Sequence, residues 1–204
     1  MAQTRAAHTR RRLLLAAAAG FARHGYAGSS LAHVALQAEV TLGALTFHFP
    51  TKDALARAVY EDGAACTRTA VDRALNRSQL PLQNVIDITH EVSRLLRTEP
   101  TVRAASRLSR ETTRTGTSWH QLWLDEVGRR ADRAHARGDL SESCSAELLS
   151  ILARCMLAGT DSPSVHTPAA WGESPDVLAQ LWRLVLGSVA APGRSALLPG
   201  GSPD

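Results

Sequence analysis

The residues best suited to chemistry in this chain are its eight histidines and three cysteines. Their spacing offers little for catalysis or for a metal. Cys66, Cys144 and Cys155 are odd in number, far apart and without a Cys-x-x-Cys pair, which argues against a disulfide scaffold and a structural zinc site and fits a reducing cytoplasm. No His-x-x-x-His pair has a carboxylate beside it, and Gly-x-Ser-x-Gly, phosphate-loop and dinucleotide fingerprints are absent. Glu111, His120 and Asp125 can be imagined as an acid–base set, but helix spacing puts Glu111 elsewhere. No enzyme, metal or cofactor is expected.

What remains is charge. Net charge is +4 over 204 residues, but it is concentrated. Residues 1–60 hold seven bases (Arg5, Arg10, Arg11, Arg12, Arg23, Lys52 and Arg57) against Glu39 and Asp53, a local +5, and the remainder carries −1. A cationic first quarter attracts phosphate backbones or anionic lipid heads, unless it is only a solvated face. Arg10, Arg11 and Arg12 precede the apolar run Leu13–Ala19 in the charge order of a signal peptide, but Arg23 and His24 follow too soon, so none is expected. The run is also far short of the roughly 18 residues of a spanning helix, so no membrane partner is expected.

The elements that must position these groups read as helical nearly throughout, with much alanine and leucine and no period-two stretch. The punctuation predicts helices over Thr9–Arg23, Ser30 to about Glu39, Thr41–His48, Thr51 onward for twenty or more residues, Pro81–Glu99, Val102–Leu108, Trp119–Arg137, Ser143–Gly159, and from Ser174-Pro175-Asp176 to Val189. Thr112–Ser118 and Asp161–Gly172 read as loops, and Pro192–Asp204 as a frayed tail. The expected domains are 1–50, 51–192 and a flexible 193–204.

The informative stretch is Ser30 to Phe49. It holds two helices of about eight residues, a very short connection, and a longer helix before them. Such a pair cannot bury its own core and needs that third helix. This is the plan of a helix-turn-helix whose second helix enters the major groove. Three packed helices of a larger bundle would give the same pattern.

Here the chain also resembles a family. Ala38-Glu39-Val40-Thr41-Leu42-Gly43-Ala44-Leu45-Thr46-Phe47-His48-Phe49-Pro50-Thr51-Lys52-Asp53-Ala54-Leu55 is similar to the DNA-binding signature of the TetR family of bacterial repressors, and Phe21-Ala22-Arg23-His24-Gly25-Tyr26 to the end of that family's first helix. Gly-Ala-Leu-x-Phe-His-Phe resembles the form found in the γ-butyrolactone receptors of filamentous actinomycetes. So do Val102–Leu108, Trp119-x-x-x-Trp123 with Gly138-Asp139-Leu140, and Leu181-Trp182-Arg183. The resemblance implies an all-α, nine-helix, two-domain fold: a helix-turn-helix domain, then a ligand-binding and dimerisation bundle.

It also implies residue roles. Thr41, Leu42, Gly43, Ala44, Thr46 and His48 would lie on the recognition helix, Lys52 would meet a phosphate at a helix N-terminus, and Arg5, Arg10 and Arg11 would reach backbone or minor groove. Leu42 and Thr46 stand where the family usually has lysine and tyrosine, which removes a charge and a donor from the DNA face; Leu42 could instead touch a thymine methyl. Trp123, with Trp119 one turn earlier, would line an apolar effector pocket, although both could be plain core residues. Gly63 stands where related receptors often have a polar pocket residue, so the signal could differ or be absent.

Helix eight is apolar on too many sides for one core, and a second stripe follows in helix nine. Leu148, Leu152, Cys155, Leu178, Leu181, Trp182 and Val185 are therefore expected at a homodimer interface. The expected function is a cytoplasmic, nucleoid-associated repressor of secondary metabolism or antibiotic genes. A small lipophilic signal would release it from a pseudo-palindromic double-stranded operator. The alternatives are a pseudo-receptor answering to a pathway intermediate or antibiotic, and a helical adaptor that binds only protein.

Overall fold

A computed structural model describes residues 2–111, 118–160, 177–193 and 197–203. Among them are nine helices: α1 (Ala2–His24), α2 (Leu31–Gln37), α3 (Leu42–His48), α4 (Lys52–Arg77), α5 (Pro81–Thr98), α6 (Pro100–Glu111), α7 (Gln121–Ala136), α8 (Ala146–Thr160) and α9 (Val177–Val189). The only strand-like pairing among the described residues is an isolated antiparallel bridge between Leu140 and Ala190. The all-α expectation holds. Helix α1 begins seven residues before the expected Thr9, α6 runs longer than Val102–Leu108, and α8 starts at Ala146 with Ser145 Oγ accepting from the Leu148 amide at 3.1 Å. The expected loops at 112–117 and 161–172 and the helix start at 174–176 lie outside the described residues.

The chain divides into two compact units, Met1–Thr67 with Leu95–His120, and Arg68–Arg94 with Gln121–Asp204. The first is thus larger than the expected 1–50, because α6 shares its core. Leu13, Leu14, Ala17, Ala18 and Phe21 of α1 meet Val34, Ala35, Leu45 and Phe49, and Leu55, Val59, Ala104 and Leu108 close the cluster. Each large side chain buried there contributes about 1.5–3 kcal/mol. Gly63 has a physical reason to be glycine. A Cβ there would lie 2.3 Å from the Thr101 carbonyl oxygen and 2.9 Å from Ala105 Cβ, so α4 and α6 touch backbone to backbone.

In the second unit α5 is buried on more than its apolar face. Val85, Ile88 and Val92 are buried, but so are Gln83, Asn84, Asp87, Thr89, Glu91 and Ser93. Buried polar groups need partners, and several are visible. Asn84 Nδ2 donates to the Ser78 carbonyl at 2.9 Å, the Trp182 indole donates to Thr89 Oγ1 at 2.8 Å, and Gln83 Nε2 donates to Asp87 Oδ1 at 2.8 Å. The expected frayed tail is tied down over its described part. The Leu198 amide donates to Gln83 Oε1 at 2.7 Å, the Ser202 amide and hydroxyl donate to Asp87 at 2.7 and 2.8 Å, and the His90 ring bonds the Pro199 carbonyl at 2.8 Å. Polar groups on a buried helix thus give the backbone of a Pro- and Gly-rich segment partners to bind.

Two residues expected at a dimer interface are placed otherwise. Leu178 and Trp182 are buried within the single chain, the indole held by Thr89, so neither is open to a partner. The side chains that stay outside are Leu148 and Ile151 of α8 and Leu184 of α9, 50%, 41% and 78% exposed, with Cys155 exposed and Leu152, Leu181 and Val185 half-buried.

Glu91 joins Arg77 at 2.7 Å and Arg94 at 2.8 Å. Burial alone would raise its carboxyl pKa, but the hydrogen bonds and charges of Arg94 and Arg77 more than reverse this, and the carboxyl titrates below its ordinary value. A carboxyl lowered in the folded state adds stability above its unfolded pKa and loses it as pH falls through the folded one. Glu91→Gln should therefore cost about 1.5–3 kcal/mol near neutral pH, because it removes the charge that the hydrogen bonds of Arg77 and Arg94 engage. In urea unfolding the gap to wild type should narrow as the pH drops below about 4; a constant gap would contradict the pairing.

Candidate nucleic-acid interface

Helices α2 and α3 are seven residues each, below the length at which an isolated helix persists. Side chains cap their N-termini and that of α4. Ser30 Oγ accepts from the His33 amide at 3.2 Å, Thr41 Oγ1 from the Ala44 amide at 3.1 Å, and Thr51 Oγ1 from the Ala54 amide at 3.0 Å. Between α2 and α3, Glu39 sits at φ 52, in the left-handed region where a glutamate is strained. The turn is held by amides of Glu39 and Val40 donating to the carbonyls of Leu36 and Ala35, each at 3.0 Å. Arg12 pairs with the Glu39 carboxylate at 2.8 Å, so α1 secures the turn by charge as well as by packing.

Helix α3 hides Leu45 and shows the rest. Thr41, Leu42, Gly43 and Thr46 are exposed, Ala44 and His48 half-buried. Thr46 Oγ1 donates back to the Gly43 carbonyl at 3.1 Å. Gly43 has only Thr41 Oγ1 near a virtual Cβ, at 4.0 Å, so open space lies above it. Thr41 uses an oxygen lone pair for its cap and keeps a hydroxyl proton to donate. The expected recognition residues are thus all at least partly accessible. Sequence reasoning passed over Phe47, which is 82% exposed and packs edge-on to His48 with centroids 5.4 Å apart. It lies two residues past the buried Leu45, a spacing that turns it outward.

The basic residues are less alike than their sequence suggests. Lys52 Nζ lies 4.4 Å from the centroid of the Tyr26 ring, at the N-terminus of α4. Arg10 rests on Phe49, its guanidinium carbon 5.0 Å from the ring centroid. Arg11, expected to reach DNA, binds Asp62 of α4 at 2.9 Å and is engaged in joining α1 to α4. Arg5 is exposed.

The two expected pocket tryptophans are both buried. In the first unit, the Trp119 indole donates to Thr67 Oγ1 at 2.9 Å, and Thr67 donates to the Gly63 carbonyl at 2.9 Å. In the second, Trp123 packs on α7 with Val127, Ala131 and Ala134 as the other buried residues of that helix. Of the imagined acid–base set, Glu111 binds Arg107, His120 lies edge-on to Trp119, and Asp125 is exposed. Among the described residues no group of histidine, cysteine and carboxylate side chains could hold a metal, and no helix is long and apolar enough to cross a membrane.

Comparison with known proteins adds five findings. The family model for bacterial regulatory proteins of the tetR family matches residues 13–59. The A-factor receptor protein of Streptomyces griseus is 28% identical over 195 residues, 94% of this chain and 67% of its own length. A solved γ-butyrolactone receptor (ArpA-like protein) superposes with a TM-score of 0.78 at 26% identity, covering 94% of this chain and 93% of its own, and CprB of Streptomyces coelicolor, solved with its biological operator sequence, gives 0.77 at 26% over 93% and 92%. TylP, a TetR regulator of Streptomyces fradiae, is 30% identical over 91% of this chain and 88% of its own, with a TM-score of 0.57.

The cap on α3 yields a direct test. Thr41→Ala removes the acceptor for the Ala44 amide and should destabilise the first unit by about 1 kcal/mol, with amide exchange of residues 44 and 45 accelerating first. Unchanged exchange there would mean that the cap contributes nothing.

Proposed function

The chain belongs to the TetR family of bacterial regulatory proteins, and from that premise we propose that it is a ligand-responsive DNA-binding repressor of the γ-butyrolactone receptor type. The observation that carries this reading is the capped α2–α3 pair, which presents Thr41, Leu42, Gly43 and Thr46 outward on a helix whose inner face is fixed by Leu45. An α-helix fits the major groove, and the small residues Gly43 and Ala44 allow its backbone close to the base edges. Lys52 at the start of α4 meets a backbone phosphate, supported by the helix N-terminus. The TetR family is a class of transcriptional regulators, not of enzymes, and a regulator of operator DNA works in the cytoplasm.

The effector is a small lipophilic molecule, γ-butyrolactone-like or a related pathway product, with Trp123 as one pocket wall. The A-factor receptor and the γ-butyrolactone receptor support that chemical class. Retardation of a pseudo-palindromic duplex, with and without a γ-butyrolactone, tests the reading. Ala44→Trp should abolish binding by blocking close approach, and Leu42→Lys should raise affinity for all sequences by adding a phosphate contact. Trp123→Ala should still bind DNA but no longer release it on adding the lactone. If Ala44→Trp binds as well as wild type, α3 is not in the groove.

We further propose a homodimer through α8 and α9, which places two recognition helices on the two half-sites of an operator. Its support is the apolar stripe left outside the single chain: Leu148, Ile151 and Cys155 of α8, and Leu184 of α9, beside the half-buried Leu152, Leu181 and Val185. Light scattering should give a dimer at micromolar concentration. Leu148→Arg with Leu184→Arg should convert it to a folded monomer that binds the operator weakly; a wild-type monomer would refute the proposal.

A further inference from the structure

A charged pair on α6 grips the end of α1. Arg107 Nη1 donates to the carbonyls of Arg23 at 2.9 Å and Ala22 at 3.2 Å, two of the acceptors that a helix leaves open at its C-terminus. Arg107 Nε also binds Glu111 Oε1 at 2.6 Å, and Glu111 Oε2 accepts the Tyr26 amide at 2.7 Å. The carboxylate reaches that amide because residue 25 is glycine. A Cβ there would lie 2.5 Å from both carboxylate oxygens, and φ at Gly25 is +72.

Tyr26 passes this grip onward. Its ring stacks on Phe21 with centroids 6.2 Å apart, carries Lys52 Nζ at 4.4 Å, and its hydroxyl donates to Asp53. One residue is thus held through its amide by α6 and through its side chain touches the first two residues of α4. A lysine already lodged over an aromatic ring gives up less rotamer freedom when it meets a phosphate.

We propose that Arg107 and Glu111 are positioning residues for DNA binding: they fix Tyr26, and Tyr26 fixes Lys52 for its phosphate. The inference rests on the DNA-binding reading above. It assigns α6 a part in setting affinity through a chain of polar contacts, distinct from the apolar core that α6 shares with α1.

The test uses the full chain and a duplex of mixed sequence, since a phosphate contact does not need the operator. Fluorescence anisotropy across a salt series should show Lys52→Ala weakening binding roughly three- to tenfold and lowering the salt slope by about one. Glu111→Ala should give the same loss and the same slope, and the double variant should lose nothing further, because both remove one contact. Glu111→Gln, which keeps an oxygen for the Tyr26 amide, should recover part of the loss. By NMR the Lys52 ε-methylene protons should be shielded by the Tyr26 ring in wild type and move to the ordinary lysine position in Glu111→Ala.

Losses that add independently, or shielding that survives Glu111→Ala, would overturn the clamp. Should Glu111→Ala fail to fold, Glu111→Gln and Arg107→Lys carry the same two readouts. Wild type that ignores the duplex at low salt would sink the DNA-binding reading and the clamp with it. Binding that depends on Lys52 but not on Glu111 would sink the clamp alone.

Discussion

Two helices of seven residues cannot bury enough apolar surface to remain folded alone, and the first unit is arranged around that deficit. Leu13, Leu14, Ala17, Ala18 and Phe21 of α1 supply the floor on which Val34, Ala35 and Leu45 sit, and Ala104 and Leu108 of α6 continue the same core. The outward face of α3 has a defined direction because its inward face has no freedom. Close packing of this kind transmits displacement, since cores shift between discrete arrangements and do not stretch. A movement of α6 is therefore felt by α1, and through α1 by the two short helices.

The second unit solves a different problem. Helix α5 is buried on its polar sides as well as its apolar one, and every polar group taken from water there needs a replacement partner. Arginines at the end of α4 and on α5 itself serve Glu91, the α9 indole serves Thr89, and the C-terminal segment serves Asp87 and Gln83. Such partners are specific in direction, whereas apolar contacts are not, so they fix the rotation of α5 about its own axis.

Much of this was legible in the sequence because local signals agreed. Ser30, Thr41 and Thr51 are cap residues and act as caps, Gly25 and Gly138 have positive φ just past helix ends, and Pro50 follows the last residue of α3 and its cap. What was not legible is long-range. Asp87 and Ser202 are 115 residues apart, and nothing in a Pro- and Gly-rich tail announces a docking site on a distant helix. Periodicity also could not tell an apolar stripe that faces the chain's own core from one that faces out. Trp182 and Leu184 are two residues apart on α9, one buried and one exposed. At the candidate DNA surface, likewise, nothing in the spacing of Arg11 shows that Asp62 pairs with it.

Gly63 illustrates how a packing decision narrows what a lineage can become. Any side chain there would collide with the Thr101 carbonyl, an atom that cannot swing aside as a flexible side chain can. A descendant of this protein could acquire a polar group at that position only after some earlier change had moved α4 and α6 apart. That earlier change would meet selection against the loosened core before any new specificity could repay it. The contact acts as a ratchet: change at position 63 has to wait for change in the spacing of α4 and α6.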